Sequence, residues 1–165
     1  MPSPRFIQAV TSQNSGECDV LLVTIEHASF PEPLRYCTGG ANIVSTVLDG
    51  EGEPVARTFT ARAMKIAAPG DSADRNGRRG RITIDNVEPD AIGRLRTAPS
   101  QPDVTVELIL ASYPDDIEMA WRGLKLLDQR PNGSAIELDI GPRDDSVHAF
   151  PYQAYTPNRT EGLFD

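Results

Sequence analysis

Apolar and polar residues alternate along most of this chain with the period of two that a β-strand produces. The clearest case is residues 81–87, RITIDNV, in which Ile82 and Ile84 share one face and polar residues occupy much of the other. Residues 104–113, VTVELILASY, continue the pattern and are rich in the β-branched residues that favour strands. These stretches predict a mainly β protein.

The same alternation predicts six further strands. In the first, residues 18–27, both faces are apolar, which is typical of a strand inside a sheet. The others fall near residues 34–37, 42–48, 57–66, 117–128 and 135–140, with a hairpin turn at Pro131, Asn132 and Gly133 before the last. Strands spaced in this way predict an antiparallel β-barrel or a β-sandwich.

One short α-helix is predicted within this β fold, at residues 89–97. Pro89 is tolerated in a first turn, and the acidic and basic residues that follow lie at the ends favoured by the helix dipole. Ile92 and Leu95 share one face of the helix. We expect this face to bind the helix to the sheet.

The two ends of the chain have weaker patterns. Residues 4–13 allow a short amphipathic helix that groups Phe6, Ile7 and Val10, which predicts an N-terminal arm. Residues 150–165 contain prolines and aromatic residues without periodicity, so we expect an extended arm that lies on its own sheet or on a partner. The predicted organisation is one β-rich domain, residues 1–149, followed by this C-terminal arm.

The candidate interface residues are aromatic or basic: Trp121, Tyr152, Tyr155, Phe164, Arg78 and Arg79. The aromatic residues of the C-terminal arm are rigid anchors of the kind that interfaces favour. Trp121 is a further anchor, or else it fills the core. The two arginines belong to a glycine-rich surface loop that is either solvated or paired with a partner.

The charge of the chain argues against a nucleic-acid interface. The 165 residues carry a formal net charge of −8, whereas binding to phosphates needs a concentrated basic face. No apolar run approaches the roughly 20 residues that cross a bilayer, and the first ten residues lack the apolar stretch of a secretory signal. We therefore expect no sequence-specific nucleic-acid binding, no membrane insertion and assembly in a cytoplasm.

No residue pattern predicts catalysis, a metal or a cofactor. The sequence has no G-x-S-x-G, H-E-x-x-H or P-loop motif. Four potential zinc ligands lack the close spacing of a zinc site: Cys18, Cys37, His27 and His148. The two cysteines are predicted to be reduced and buried in the core. Asp115, Asp116 and Glu118 are predicted to form a solvated turn rather than a cation site.

Three segments resemble, in chain order, an uncharacterised family of minor tail proteins from long-tailed bacteriophages. They are DVLLVTIEHASFPEPLRY at 19–36, the strand–helix–strand unit at 81–113, and FPYQAYTPNRTEGLF at 150–164. The resemblance implies a structural, distal-tail-protein-like component of the tail tip or baseplate in the virion. It further implies a closed homo-oligomeric ring of six or three copies, in contact with the tail tube, tape-measure and hub proteins.

Two other functions stand as alternatives to a structural protein. A tail-associated cell-wall hydrolase would need two carboxylates that converge in a cleft, and among 24 acidic residues such pairs arise by chance. A host carbohydrate-binding module would need exposed, coplanar aromatic rings, whereas aromatic residues make up 6% of this chain. The composition therefore favours a structural role over either alternative.

Overall fold

The computed structural model describes residues 3–12, 16–48, 53–67, 79–85, 87–133 and 135–142. Within them, strands predominate and two short helices are present, so the mainly β fold predicted from the sequence is confirmed. In chain order the elements are α1 (Pro4–Thr11), β1 (Asp19–Glu26), β2 (Leu34–Cys37), β3 (Ile43–Leu48), β4 (Pro54–Ala61), β5 (Met64–Ala67), β6 (Gly80–Ile84), α2 (Pro89–Thr97), β7 (Asp103–Leu110), β8 (Tyr113–Asn132) and β9 (Ala135–Pro142).

The described strands form one nine-stranded sheet in the order β3-β4-β2-β1-β7-β8-β9-β6-β5. The pairs are antiparallel except for β2 and β4, which run parallel. In the described residues the outermost strands, β3 and β5, do not pair with each other. Within the described residues the sheet is therefore open and does not form a closed barrel, one of the two predicted forms.

Both faces of the sheet bury apolar residues, and β1 contributes to both. Val23 and Ile25 point to a larger cluster, while Val20 and Leu22 point to a smaller one on the opposite face. The larger cluster consists of Val23, Ile25, Tyr36, Ile82, Ile84, Val87, Ala91, Leu95, Val104, Val106, Leu124, Leu126, Ile136, Leu138 and Ile140. The smaller consists of Val20, Leu22, Cys37, Phe59 and Ile109. The prediction that β1 lies inside the sheet is confirmed.

The helix α2 packs on the larger cluster. Its bounds, Pro89–Thr97, agree with the prediction, and Ala91 and Leu95 are buried while Ile92 is partly buried against the cluster. Val87, just before the helix, is buried as well. This packing is the contact that the shared face of Ile92 and Leu95 predicts.

Residues 57–66, predicted as one strand, form parts of two. β4 ends at Ala61, and after a two-residue link β5 begins at Met64. The alternation continues through the link, but the partner changes, because β4 pairs with β2 and β3 whereas β5 pairs with β6. The link spans at most about 11 Å, so the sheet must curve until β5, at one end of the strand order, lies close to β4, which is next to the other end.

Two further elements differ from the sequence prediction. β8 runs over 20 residues rather than from 117 to 128, because residues 113–125 pair with β7 and residues 124–132 pair with β9, with register shifts within both pairings. Gly123 lies at one of these shifts with a φ of 70°, a conformation that glycine adopts without strain. α1 is a regular helix, so the described residues contain two helices instead of the one in the predicted fold class.

Candidate functional site

The sequence-predicted interface residues are not brought together in the described part of the chain. Trp121 lies on β8 opposite Val106, partly buried against the larger cluster. Arg79 is exposed just before β6. Arg78, Tyr152, Tyr155 and Phe164 lie outside the described residues. Trp121 therefore packs against the core with part of its side chain exposed, and the interface roles of all six residues stay predictions.

The two cysteines occupy different environments. Cys37 is buried, and its Sγ lies 3.6 Å from the carbonyl oxygen of Ala41 and 3.8 Å from that of Phe59. Burial raises the pKa of the Cys37 thiol above its ordinary value, which disfavours the reactive thiolate. Cys18 is exposed, because it precedes the first residue of β1, so the prediction of a buried thiol is wrong there. Both thiols are free.

His27 and the acidic residues have protein partners rather than a metal-like arrangement. The His27 ring bonds to the hydroxyls of Ser29 and Ser100 at 2.7 and 2.8 Å. In the part of the chain that the structure describes, no group of three His, Cys, Asp or Glu side chains is arranged to hold a metal ion. No helix among these residues is long and apolar enough to cross a membrane.

Asp115, Asp116 and Glu118 do not form the predicted solvated turn but hold other elements to β8. Asp115 Oδ1 accepts the backbone N–H of Thr46 on β3 at 2.5 Å. Glu118 is nearly buried and accepts both the backbone N–H and the hydroxyl of Ser3, at 2.7 and 2.6 Å. The Ser3 hydroxyl oxygen in turn accepts the Phe6 N–H and caps α1.

The side of α1 that faces away from these contacts is apolar. α1 has no buried side chain, and the Arg5 guanidinium lies 4.8 Å from the centre of the Tyr113 ring. Ile7 and Val10 are 53% and 67% exposed. We call these two side chains the α1 patch. Polar contacts thus hold the helix on the domain while the α1 patch faces solvent.

A cavity of about 670 Å³, here called the α2 pocket, lies between α2, β2 and β4. Its lining residues are Glu32, Pro33, Leu34, Arg35, Tyr36, Ala56, Thr58, Thr60, Glu88, Asp90, Ala91 and Arg94. The parallel pairing of β2 with β4 sets Tyr36 beside Thr60. The N-terminal half of α2 closes one side because the helix packs on the larger cluster next to Tyr36.

Charged pairs surround the α2 pocket. Arg94 pairs with Asp90 at 2.5 Å, and Arg62 pairs with Glu88. Burial raises the pKa of Tyr36, an effect that the positive charges of Arg62 and Arg94 partly oppose. The ordinary tyrosine pKa of 10.0 already keeps the hydroxyl protonated at neutral pH, and the raised pKa of Tyr36 acts in the same direction, so this group can act as a hydrogen-bond donor.

A second cavity, of about 580 Å³, lies beside the smaller cluster and is lined from β1, β3, β4, β7 and β8. Glu107 is buried there and pairs with the exposed Arg122 at 3.4 Å, which compensates its charge. Glu26 and Asp115, the other carboxylates of this cavity, are exposed. Glu107 thus has a cation as its close partner, which is not the carboxylate pair that a glycosidase requires.

A family described as a domain of unknown function (DUF1833) matches residues 7–140 of the sequence. The chain belongs to this family. The DUF1833 match begins inside α1 and ends within β9, so it includes the residues of the α2 pocket and of the α1 patch. No curated protein matches the sequence.

The α2 pocket of this DUF1833 chain was not predictable from local pattern. Its residues come from a short strand, a longer strand and a helix that are distant in sequence, and the parallel pairing of β2 with β4 brings them together. Tyr36 and Arg94 are not part of any recognised sequence motif. The one available signal for a site was the position of Arg94 on the predicted helix. That position is explained equally well by the favourable interaction of a basic residue with the C-terminal end of the helix dipole.

Proposed function

We propose that this DUF1833 protein is a structural component of a bacteriophage tail tip or baseplate. Copies of the chain form a homo-oligomeric ring, hexameric in the favoured form and trimeric in the other, that joins the tail tube to the hub. The resemblance of residues 19–36, 81–113 and 150–164 to minor tail proteins supports this role. Its neighbours in the virion are then the tail tube, tape-measure and hub proteins.

The observation that carries this proposal is the α1 patch. Helices in monomeric proteins usually turn their apolar face inward, whereas α1 is fixed by Glu118 and Asp116 with Ile7 and Val10 outward. Exposed apolar side chains grouped on one element are typical of protein contacts. A second copy of the chain is the partner that a ring supplies.

Two more features support contacts between copies. A ring needs two different surfaces on each subunit, because every copy meets a neighbour on either side. β3 and β5 each have one edge without a strand partner in the described residues, and such edges are templates for pairing. In addition, the arginines at 75, 78 and 79 supply positive charge on a chain of net charge −8, which favours attraction between copies.

The mass of the assembly in solution tests the ring directly. Native mass spectrometry of the purified protein should give six or three times the mass of the 18.0 kDa chain. Val10→Lys should shift the population to monomer, because it places a charge in the α1 patch. Gln8→Lys adds the same charge to another exposed position of α1 and should leave the assembly intact. A protein that stays monomeric at all concentrations and is missing from purified virion tails would contradict the proposal.

The C-terminal arm, residues 150–165, lies outside the described residues, and its role stays a prediction. Deletion of residues 156–165 separates its two possible roles. If the arm binds a partner, the shortened protein keeps its melting temperature but fails to enter tails. If the arm lies on its own sheet, the melting temperature falls first. Unchanged stability together with normal incorporation into tails would exclude both roles.

A further inference from the structure

The hydrogen-bond donors Tyr36 and Arg94 of the α2 pocket are more buried than the carboxylates of Asp90 and Glu88. Tyr36 is 4% exposed, and the Arg94 side chain is 34% exposed. Asp90 and Glu88, by contrast, are 74% and 49% exposed. A molecule that enters the pocket therefore meets the carboxylates first and the arginine and the hydroxyl last.

Several donors of the pocket have no acceptor among the described residues. The Tyr36 side chain is 4% exposed, and its hydroxyl, which has no hydrogen-bond partner within this part of the chain, still reaches solvent in the pocket. Arg35 forms no ion pair there, and its Nε is buried without a partner. The N-cap residue of α2, Glu88, makes no side-chain cap, so the first N–H groups of the helix keep their positive potential. All three features favour an acceptor that carries negative charge.

We infer that the α2 pocket binds a small polar molecule through one anionic group, a carboxylate or a phosphate. The anion contacts the Arg94 guanidinium and the Tyr36 hydroxyl, with Arg35 as a second cation. This inference goes beyond the proposed function and rests on the pocket alone. A cavity of about 670 Å³ is within the range of small-molecule sites.

The existing ion pair of Arg94 does not prevent this binding. Asp90 is largely in water, and exposed ion pairs of this kind contribute about 0–1 kcal/mol. An incoming anion can accept two parallel hydrogen bonds from the Arg94 guanidinium. It lies deeper in the pocket than the Asp90 carboxylate, where water screens the attraction between opposite charges less. The carboxylates of Glu32, Glu88 and Asp90 at the rim would repel a polyanion, so the ligand is small and carries a single anionic group.

Amide chemical shifts of the ¹⁵N-labelled protein test the inference, with inorganic phosphate and acetate as separate probes at constant ionic strength. We expect saturable shifts at Thr60, Ala91 and Arg94 in the millimolar range. A response to phosphate alone identifies a phosphate site, a response to acetate alone identifies a carboxylate site, and a response to both identifies the shared chemistry. The absence of saturable shifts with either probe would overturn the inference.

Three substitutions distinguish pocket binding from a general effect of salt. Arg94→Gln should weaken binding about tenfold or more, the range for removal of hydrogen bonds to a charged group. Arg96→Gln, on the same helix but outside the pocket, should leave binding unchanged. Asp90→Asn should strengthen binding, because it removes the carboxylate that competes for Arg94. Equal affinities in all three variants would overturn the inference, and the exposed position of Asp90 keeps the test valid if Arg94→Gln fails to fold.

Discussion

The two helices of the described chain are nearly equal in length but differ in what holds them. Both begin with a proline in the first turn and both are amphipathic. α2 buries Ala91 and Leu95 in the larger cluster, whereas α1 buries no side chain and exposes Ile7 and Val10. An amphipathic pattern therefore predicts a helix, but it does not say whether its apolar face meets the core.

The difference matters because helices of eight or nine residues are marginal on their own in water. α2 is stabilised by burial of its apolar face. α1 depends on polar contacts, namely the hydrogen bonds between Ser3 and Glu118, the Arg5–Asp116 ion pair at 3.6 Å and the position of Arg5 over Tyr113. The two helices should therefore respond oppositely to substitution of apolar and of polar residues.

The largest effect is expected for the apolar contact of α2. Leu95→Ala should lower the free energy of unfolding by about 2–5 kcal/mol, because it leaves a cavity in the larger cluster. Urea denaturation followed by circular dichroism measures this change. Arg96→Ala, at the next and exposed position, should change stability by less than about 0.5 kcal/mol. A loss below about 1 kcal/mol for Leu95→Ala would mean that α2 contributes little to the core.

For α1 the corresponding contact is polar. Glu118→Ala should lower stability by about 1–3 kcal/mol, because it removes two charge-assisted hydrogen bonds to Ser3. The loss should be local, so hydrogen exchange should speed up at the α1 amides more than in β1. Asp116→Asn is the matched control, since this exposed carboxylate contributes less than about 1 kcal/mol. Unchanged exchange in α1 after Glu118→Ala would show that other contacts fix the helix.

The bounds of both helices were largely predictable, because the signals are local. Pro89 and the charges that follow it mark α2, and the grouping of Phe6, Ile7 and Val10 marks α1. The partner of α1 was not predictable, since Ser3 and Glu118 are 115 positions apart. The acidic residues near 118 suggested only a solvated turn, because the local sequence around a carboxylate is the same whether it lies in a turn or bonds to a distant part of the chain.

The same limit applies to the sheet and to the α2 pocket. Alternation predicted most strands, but it continues through Arg62 and Ala63, where the chain leaves β4 and joins β5 at the other end of the strand order. A period of two reports which face a residue occupies and not which strand lies beside it. The pocket depends on that second kind of information, because the pairing of β2 with β4 forms its floor.

Alkaline pH should weaken the side of the domain that α2 covers. The pKa of Tyr36 is raised above its ordinary value of 10.0, with burial as the main cause. The protonated form is therefore favoured in the folded state, so this contribution to stability is complete below pH 10 and is lost as the pH rises through the folded-state pKa.

Thermal unfolding of the wild type and of Tyr36→Phe, measured from pH 8 upward, checks this effect. The substitution removes the titrating hydroxyl and should flatten the alkaline decline. Cys37, whose pKa is also raised by burial, is present in both proteins, so its contribution cancels in the comparison. Identical declines in the two proteins would show that Tyr36 does not contribute.

The smallest effect is expected at the α1 patch. Val10→Ala should change the stability of the monomer by less than about 0.5 kcal/mol, because Val10 is 67% exposed and alanine favours a helix more than valine does. Urea denaturation at low protein concentration measures this value, with Leu95→Ala under the same conditions as the contrasting core substitution.

At high protein concentration the expectation changes. If copies of the chain cover the α1 patch, association stabilises the folded state by mass action, and Val10→Ala then lowers the apparent stability while its effect at low concentration stays near zero. A cost that is large and independent of concentration would place Val10 in an intramolecular contact, and the difference between the two helices would then be one of degree.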